Sequence, residues 1–454
     1  MHREAFLATD MTEDSGVVGR IINSITCYPL PIHGVFTLSD NFFVTVAKVA
    51  QALGLPTSPV SAFETSVDKY RSRLLQDAPG HTARVGSLDE LDALLQSGTM
   101  GQRPAFTPKF PMIVKPTKGW SSECVSKVNN LADLGVAVLK ATARHGSAAV
   151  IEPFFDGPEV DVNFVLLDGE ILFSEIADEP PCEADSRSAT VHHTFSPEAL
   201  TLPSALPPNE QSIAISTLRD ILVKLGFRTG VFHVEARMVN SACEYRRTAD
   251  NDDGIIDLVR KPPSALPEDQ AACKLVEINA RPPGYRVTVP SRHTYGVDFF
   301  AAHMLAAVGD LDRLRLVARP FDHHPSPHAD DGSHHHHQPT PAAAPLPHDR
   351  GAQYHARLVY VPAPRAGTIR WPAGLPPCEE LKRRRPDLAE RIVLAVDYCA
   401  PGDRVNTHTD GARTYVAHLL VVSRESRAEA VRLGEEVLRE MRVAVEGDEE
   451  KEGV

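Results

Sequence analysis

The hydrophobic and polar positions of the chain alternate along two short stretches in the manner of half-buried β-strands. In residues 230–239, period-two alternation places His233, Glu235 and Arg237 on one face. The opposite face is apolar and carries Phe232, Val234, Ala236 and Met238. The pattern predicts a strand that buries one side and offers a carboxylate on the other.

The stretch 274–281 repeats this arrangement. Its alternation predicts one face with Leu275, Glu277, Asn279 and Arg281, and an apolar underside with Val276, Ile278 and Ala280. A carboxylate, an amide and a guanidinium then stand in a row. Two such strands suggest one site for a hard cation and its anionic ligand.

Other periodicities predict the remaining elements. Apolar residues at helical spacing predict helices over 40–53, 64–76, 88–95, 131–144, 215–225 and 298–308. Short apolar runs predict strands over 110–116 and 148–154, and residues 157–173 predict a β-hairpin that turns at Asp168-Gly169. Residues 354–446 predict a last small unit of strands and a helix, with Ser426 and Glu429 as a capping box.

Two segments lack these periodicities. Residues 240–272, acidic and rich in proline, separate the two polar strands, and we interpret them as a flexible insertion at a hairpin tip. Residues 319–350 are rich in proline, alanine and histidine and include the run His334 to His337. That composition favours a disordered connector over a metal-binding tract.

Composition excludes several classes of function. The chain has 454 residues, enough for two or three domains, and its formal net charge of −13 argues against a general nucleic-acid role. Its 7 cysteines are scattered without a CxxC pair, which predicts reduced thiols and a cytoplasmic protein. No secretory signal or membrane span is predicted. A homo-oligomer is compatible with the sequence.

The strongest chemical signal is the set Glu235, Glu277 and Asn279. Mg²⁺ takes oxygen ligands and usually binds through one or two carboxylates together with substrate phosphates. Arg281, one alternation further, can stabilise charge on a transferring phosphoryl group. Either strand alone is more simply a solvated face, but the repeated pattern favours a metal site.

Weaker signals lie upstream. Lys115 follows an apolar strand and suits a phosphate-binding ammonium, whereas the loop 117–124 matches neither a P-loop nor a GxGxxG motif and is as readily an ordinary turn. Glu152, at a strand end, can offer backbone groups to a purine, although a plain connection is the simpler interpretation. Glu159 and Asp161 alternate on the next strand, and most such pairs are solvated.

Three histidines are candidates for contact with a substrate. His192 and His193 are adjacent, so in a strand they would face opposite ways and would be poor joint metal ligands. We therefore interpret them as loop residues on the substrate side. His233, on the polar face of the first strand, is the third candidate.

The order of these motifs resembles the ATP-grasp superfamily. The matching pieces, spread over about residues 40–310, are Asp68-Lys69-Tyr-Arg, Ile113-Val-Lys-Pro, the serine-containing loop 117–124, Ile151-Glu-Pro-Phe-Phe-Asp-Gly-Pro-Glu-Val, His233-Val-Glu and Val276-Glu-Ile-Asn-Ala-Arg-Pro-Pro-Gly. The run Gly230-Val-Phe-His-Val-Glu-Ala-Arg is similar to the branch that holds carnosine synthase and bacterial L-amino-acid ligases.

The resemblance implies an α+β ATP-grasp fold, in which two α+β subdomains clasp ATP and a small α+β subdomain follows. It implies a core over 40–315, made of a lid subdomain at about 63–155 and a metal-binding subdomain at about 156–315. Residues 1–39 are then a short N-terminal stub, with the leading domain of related ligases largely absent. Residues 354–446 would be the C-terminal subdomain.

The resemblance also implies roles for residues. ATP would contact Lys69, Lys115, Ser121, Ser122, Glu152, Phe154, Phe155 and Glu159, with the lysines at the phosphates, the segment at Glu152 at the adenine and Glu159 at the ribose. Mg²⁺, with Mn²⁺ as an alternative, would be held by Glu235, Glu277 and Asn279. Arg281 and Lys115 would be catalytic, and the loop 117–124 would be a lid that excludes water.

The resemblance implies an ATP-dependent carboxylate–amine ligase that forms an amide through an acyl phosphate, with release of ADP and phosphate. Its substrates would be a small carboxylate and a small amine in the amino-acid class. The alternatives are an ATP-binding protein with impaired catalysis, or another ATP-grasp reaction such as carboxylation or thioester formation. Two departures from the pattern are Cys124, where glycine is common, and the insertion 240–272.

Overall fold

The computed structural model describes residues 4–76, 80–99, 106–119, 121–144, 146–248, 255–321, 351–407 and 414–447. The expected connector 319–350 therefore lies outside the described residues from residue 322 onward. Within the described ranges, no helix combines the length and the apolar character needed to cross a membrane.

Strands and helices alternate irregularly along the chain. The strands are β1 (Ala83–Val85), β2 (Met112–Pro116), β3 (Ser126–Val128), β4 (Ala149–Pro153), β5 (Glu159–Leu167), β6 (Glu170–Glu179), β7 (Ala199–Leu202), β8 (Gly230–Val239), β9 (Cys243–Arg247), β10 (Ile256–Arg260), β11 (Ala272–Asn279), β12 (His355–Pro362), β13 (Gly367–Arg370), β14 (Ile392–Asp397), β15 (Arg404–Val405), β16 (Tyr415–Ser423) and β17 (Ala444–Glu446). The helices are α1 (Val17–Thr26), α2 (Phe43–Ala52), α3 (Val60–Ser66), α4 (Lys69–Arg73), α5 (Leu88–Thr99), α6 (Leu134–Ala143), α7 (Pro208–Leu225), α8 (Tyr285–Tyr295), α9 (Phe299–Ala307), α10 (Leu311–Val317), α11 (Pro377–Arg384), α12 (Pro386–Ala389) and α13 (Arg427–Glu440).

A small antiparallel sheet forms one side of the cleft. Its strand order is β1-β4-β2-β3, and helices α5 and α6 pack against it. The buried residues Val114, Leu134, Val138 and Ile151 belong to one apolar cluster that joins the helices to the sheet. We refer to this sheet with its two helices as the lid sheet.

A large antiparallel sheet forms the other side. Its eight strands follow the order β11-β8-β5-β6-β7-β12-β16-β14. The predicted hairpin of β5 and β6 turns at Asp168 and Gly169, both of which have positive φ (53° and 83°), as a tight hairpin turn requires. Helix α7 covers one face of this sheet through Ala214, Leu218 and Leu222.

The C-terminal strands extend the same sheet. Strand β12 pairs with β7, so β12, β16 and β14 continue the sheet beyond the ATP-grasp core expected from the sequence. Helix α13 packs on β12 and β16, and Ser426 caps it by accepting a hydrogen bond from Glu429 N at 3.1 Å. The predicted capping box is only half formed, because the Glu429 carboxylate accepts from Ser423 Oγ and not from Ser426 N. A three-stranded sheet, β15-β13-β17, completes this unit.

The predicted helix over 64–76 is two short helices, α3 and α4. The chain breaks at Asp68, whose carboxylate accepts hydrogen bonds from the backbone N–H groups of Tyr70 and Arg71 and so caps α4. This new helix start places Lys69 at the mouth of the cleft.

The prediction of a flexible insertion over 240–272 is wrong for the part that the structure describes. Strands β9 and β10 form a paired antiparallel hairpin, with the tip at 249–254 outside the described residues. Cys243 and Leu258 are buried in the main core, and the Glu210 carboxylate accepts hydrogen bonds from Ser241 Oγ and Ala242 N, both at 2.6 Å. Tertiary contacts therefore outweigh the polar composition of the segment.

Candidate active site

Strand β8 presents the polar face that its alternation predicts. Phe232, Val234, Ala236 and Met238 all lie in the main apolar core. Glu235 and Arg237 line the cleft on the opposite face, and His233 lies beyond them on that face. Each side chain is fixed by its neighbours, because β8 lies between β5 and β11 in the sheet.

Strand β11 departs from simple alternation through a β-bulge. Leu275 pairs with Ala236 and Glu277 pairs with Glu235, so Val276 is an extra residue without a partner in the ladder. As a result Leu275 is buried in the core, whereas Val276 lines the cleft. The predicted faces of these two residues are thus reversed, and the bulge is what brings Glu277 opposite Glu235.

Glu235 and Glu277 face each other across the strand pair. Burial, followed by repulsion from Glu277, raises the pKa of Glu235 well above its ordinary value. Lys69 Nζ lies 2.7 Å from Glu277 Oε1, and Asn279 Nδ2 donates to Glu235 Oε1 at 3.4 Å. Like charges held together in this way favour a cation between them.

The donor set fits Mg²⁺ in kind. Two carboxylates and an amide oxygen are hard ligands, and Mg²⁺ normally completes its shell with water and substrate phosphates. No three His, Cys, Asp or Glu side chains converge as a metal site among the described residues. Protein ligands alone would therefore not complete a site here, which matches a cation that arrives with a phosphate-bearing ligand.

A cavity of about 200 Å³ opens beside this carboxylate pair, between the lid sheet and the large sheet. Its lining includes most of the residues expected from the sequence: Lys69, Lys115, Ser121, Ser122, Glu152, Phe154, Phe155, Glu159, Glu235 and Glu277. The structure thus brings together side chains from strands, helices and loops that lie far apart in the chain.

Lys115 and Glu152 form a buried ion pair at the base of the cavity. Lys115 Nζ lies 2.7 Å from Glu152 Oε1, and both side chains are about 95% buried (5% and 6% exposed). The Lys115 ammonium also donates to the Val276 carbonyl at 3.3 Å, which ties the lid sheet to the bulge. The ammonium is held where phosphates could reach it.

Glu159 and Phe154 lie at the far end of the cavity, and Arg237 holds both. Its guanidinium donates to Glu159 Oε2 from Nε at 2.8 Å and from Nη2 at 2.5 Å, and it pairs with Asp185 at 2.6 Å. It also lies over the Phe154 ring at 5.2 Å, with the Lys127 ammonium at 4.2 Å from that ring. The end of the cavity expected to hold the base is therefore rigid.

The lid loop is held in an unusual backbone conformation. Ser121, Ser122 and Cys124 have φ values of 55°, 53° and 60°, in the left-handed region that favours glycine. A glycine at position 124 would adopt this conformation without strain. The Gly119 carbonyl accepts a hydrogen bond from Lys69 Nζ at 2.9 Å, which joins the loop to α4.

Arg281 lies beyond the cavity, at the end of the polar row. Its Nε and Nη2 donate to the two carboxylate oxygens of Asp40 at 2.8 and 3.1 Å, and Nη2 also donates to Asn279 Oδ1 at 3.3 Å. Neither Arg281 nor Asn279 lines the cavity. The ion pair with Asp40 connects the N-terminal segment to Arg281, and no sequence pattern predicts this contact.

The three candidate substrate histidines are not brought together. His192 and His193 lie on the loop after β6 and do not line the cavity; His193 Nδ1 pairs with Thr190. His233 is 8% exposed and its Nδ1 lies 2.9 Å from Asn163 Oδ1. Of the three, only His233 is on the same strand face as Glu235.

Sequence reasoning missed two carboxylates of the site. The sequence pattern predicts a solvated Asp161, but this residue is 4% exposed and lies opposite Glu235 in the β5–β8 ladder. Burial, followed by the charge of Glu159, raises the pKa of Asp161 to about 8. Glu179 lines the cavity. Its burial and, second, the negative charge of Asp161 raise the pKa of Glu179. Extending the alternation of β8 to its neighbours would have found Asp161.

Comparison with known proteins gives the class to which this fold and cleft belong. Residues 1–57 match the ATP-grasp N-terminal domain, and residues 108–245 match the ATP-grasp domain. The first match covers the segment that the sequence analysis interpreted as a short stub. The fold, two α+β units around a cleft with an acidic strand pair, is the ATP-grasp fold.

Individual relatives agree with this class. ATP-grasp enzyme fsqD from Aspergillus fumigatus is 34% identical over 97% of this chain and 70% of that protein. Carnosine synthase 1 from Gallus gallus is 25% identical over 67% of this chain, which spans only 31% of that protein. The crystal structure of an L-amino acid ligase from Bacillus licheniformis has a TM-score of 0.65 at 18% identity, covering 97% of this chain and 87% of that one. The chain belongs to the ATP-grasp family of enzymes.

Proposed function

We propose that this protein is an ATP-dependent carboxylate–amine ligase that releases ADP and phosphate. The observation that supports this function most directly is the carboxylate pair of Glu235 and Glu277, which lies beside Lys69 at one end of the cavity. The activities named for two relatives, carnosine synthase and L-amino acid ligase, support small amino-acid substrates for this chain.

The cavity supports one direction for the nucleotide. The rigid end with Glu152, Phe154 and Phe155 would hold the adenine, and Glu159 would meet the ribose. The phosphates would then run toward Lys69, Lys115 and the lid serines, Ser121 and Ser122. Glu235, Glu277 and Asn279 would hold Mg²⁺, which offsets the charge of the phosphates when it is bound.

The reaction has two steps. A substrate carboxylate oxygen attacks the γ-phosphorus, the bond to the ADP oxygen breaks, and an acyl phosphate forms. The amine nitrogen then attacks the acyl carbon, phosphate leaves, and the nitrogen loses a proton to give the amide. Arg281 would stabilise charge on the migrating phosphoryl group, and the lid loop would exclude water from the acyl phosphate.

The experiment that tests this function is a screen of ADP release with the full chain, Mg²⁺-ATP and paired amino acids, with the product identified by mass spectrometry. We expect ADP and phosphate release that requires both a carboxylate and an amine. Release of AMP and pyrophosphate would contradict the mechanism.

The same screen separates the alternatives. ADP release that requires bicarbonate or a thiol would indicate a different ATP-grasp reaction. A rise in melting temperature with Mg²⁺-ATP, without ADP release from any pair, would indicate a binding protein.

A further inference from the structure

A buried polar network runs from α8 through the large sheet to His233. Asn163 on β5 lies 2.9 Å from His233 Nδ1 through its Oδ1, and its Nδ2 donates to Glu175 Oε1 at 2.9 Å. Ser291 on α8 also donates to Glu175 Oε1, at 2.5 Å. Ser291 and Glu175 have no exposed surface, and Asn163 is 1% exposed.

Hydrogen-bond accounting fixes the direction of this network. Glu175 Oε1 accepts from both Asn163 and Ser291, and a proton on Oε2 would leave both bonds intact. The Asn163 amide nitrogen therefore faces Glu175 and its oxygen faces His233. An amide oxygen only accepts, so His233 Nδ1 must carry the hydrogen. The other ring nitrogen, Nε2, then carries a lone pair whenever the ring is neutral.

His233 Nε2 lies at the end of the cleft face of β8 that is farther from the expected adenine site. Arg237, Glu235 and His233 follow one another on the same face of β8, and Arg237 marks the end expected to hold the base. His233 is thus one alternation beyond the carboxylate pair. Its Nε2 lies 3.7 Å from Glu235 Oε1, and Asn279 is opposite it on β11.

We propose that Asn163 and Glu175 are positioning residues that hold His233 in its Nδ1–H form, so that Nε2 offers a hydrogen-bond acceptor to an N–H group of the amine substrate. The proposal rests on the function proposed above for its last clause only. A neutral acceptor beside Glu235 suits a nitrogen donor, whereas a carboxylate oxygen there would meet a lone pair and a negative charge.

The first test measures the tautomer in the wild-type protein. The full chain with ¹⁵N-labelled histidine is compared with the His233→Gln variant, so that the His233 ring signals are identified by difference. We expect a protonated Nδ1 and an unprotonated Nε2 near pH 7. A protonated Nε2 with a bare Nδ1 would overturn the proposal, whatever the enzyme's activity.

The second test changes Glu175, which is linked to His233 through the side chain of Asn163. Glu175→Gln keeps an acceptor oxygen for Asn163, whereas Glu175→Leu removes it. We expect the Nδ1–H form to persist in the Gln variant and to be mixed with the Nε2–H form in the Leu variant. Asn163→Leu, which removes the acceptor for Nδ1, should give the same mixture. An unchanged tautomer in both Leu variants would contradict a positioning role.

The third test measures which substrate has its KM changed by the Asn163→Leu substitution. With the amino-acid pair that gives most ADP release, Asn163→Leu should raise KM for the amine about tenfold and change KM for Mg²⁺-ATP much less, since one hydrogen bond to the amine is weakened. Glu170→Gln, on the exposed start of β6, is the matched control. An equal rise in both KM values would indicate a general structural effect and would overturn the substrate part of the proposal.

These tests fail separately. Absence of ADP release in the wild type would contradict the proposed ligase function but would leave the tautomer measurement to decide the role of Asn163 and Glu175. If the Leu variants do not fold, the wild-type tautomer still decides it.

Discussion

Two groups of charged side chains, one at the cleft face of the large sheet and one between that sheet and its neighbouring elements, are built in opposite ways. At the β8–β11 end, Glu235 faces Glu277, and burial and repulsion raise the pKa of Glu235. In the second group, Arg427 on α13 lies between Asp178 on β6 and Asp257 on β10, with Nη2 at 2.9 Å from a carboxylate oxygen of each. One group places like charges together; the other places a cation between them.

This difference separates sites for ligands from structural contacts. Asp178 is fully buried and also accepts hydrogen bonds from Ser204 Oγ and Ala205 N at 2.5 and 2.7 Å, so both of its oxygens have hydrogen-bond donors within the protein. The carboxylate pair at the cleft has Lys69 on one side only. Such an excess of negative charge costs stability unless a cation binds, which is typical of functional sites. The comparison predicts that changes at the cleft reduce activity and that changes at Arg427 reduce stability.

The largest expected effect follows from Glu277→Gln. Loss of a metal-facing carboxylate should lower the rate of ADP release about 100- to 1000-fold, because the charge that the cation and phosphates need is removed. Steady-state kinetics of ADP release would measure it, with Glu170→Gln as the exposed control and circular dichroism to check the fold. Normal turnover would remove Glu277 from the metal site.

Arg427→Met tests the other side of the comparison. Removing the cation leaves Asp178 and Asp257 buried without a partner, so the free energy of unfolding should fall by about 3–5 kcal/mol. Urea denaturation would measure this, and Arg432→Met on the exposed face of α13 is the matched control. If Arg427→Met left stability unchanged but removed activity, the distinction between the two groups would fail.

Glu175 gives a pH test of a buried carboxyl that is outside both groups. Burial raises its pKa from 4.5 to about 7, so the folded protein holds more protons than the unfolded chain between those pH values. The free energy of unfolding should therefore fall as pH rises through this window, by on the order of 2 kcal/mol relative to Glu175→Gln. Urea denaturation of both proteins at about pH 5 and about pH 8, which lie on either side of the raised pKa, would show this difference, whereas parallel pH profiles would contradict it.

The smallest expected effect on stability comes from Asp40→Asn. The side chains of Asp40 and Arg281 are 34% and 18% exposed, so weakening their pair should change the free energy of unfolding by less than about 1 kcal/mol. The rate of ADP release should nevertheless fall about tenfold, because Arg281 would lose the orientation that Asp40 imposes. Kinetics and thermal melts with exposed Glu13→Gln as control would test this. A stability loss without a rate loss would assign Asp40 a structural role.

Much of this site could be predicted from local pattern. The faces of β8 follow from period two alone, since each residue between Phe232 and Met238 lies where alternation places it. Lys115 and Glu152 could be found because each ends a short apolar strand. The fold class followed from the order of such motifs, which comparison with relatives confirms.

The rest depends on contacts between distant parts of the chain. The bulge at Val276 has no local signal, because either register buries apolar residues. Asp161 looks like a solvated carboxylate from its own strand alone, but it is buried where β5 lies between β6 and β8. The ion pair of Asp40 with Arg281 joins residues 241 positions apart. The pairing of β7 with β12 joins strands that lie on either side of residues 322–350 in the chain. No window of sequence contains both partners.

The pairing of β12 with β7 has a consequence for how the protein can be divided. Strand β7 has only 4 residues, and its other neighbour, β6, pairs with it only at Asp178 and Thr201. Without β12, the short strand would become an open edge with unpaired backbone N–H and C=O groups, the feature through which sheets of different molecules join. The C-terminal strands therefore cover the edge of the sheet at β7. Truncation of the chain before residue 354 should yield a protein that self-associates.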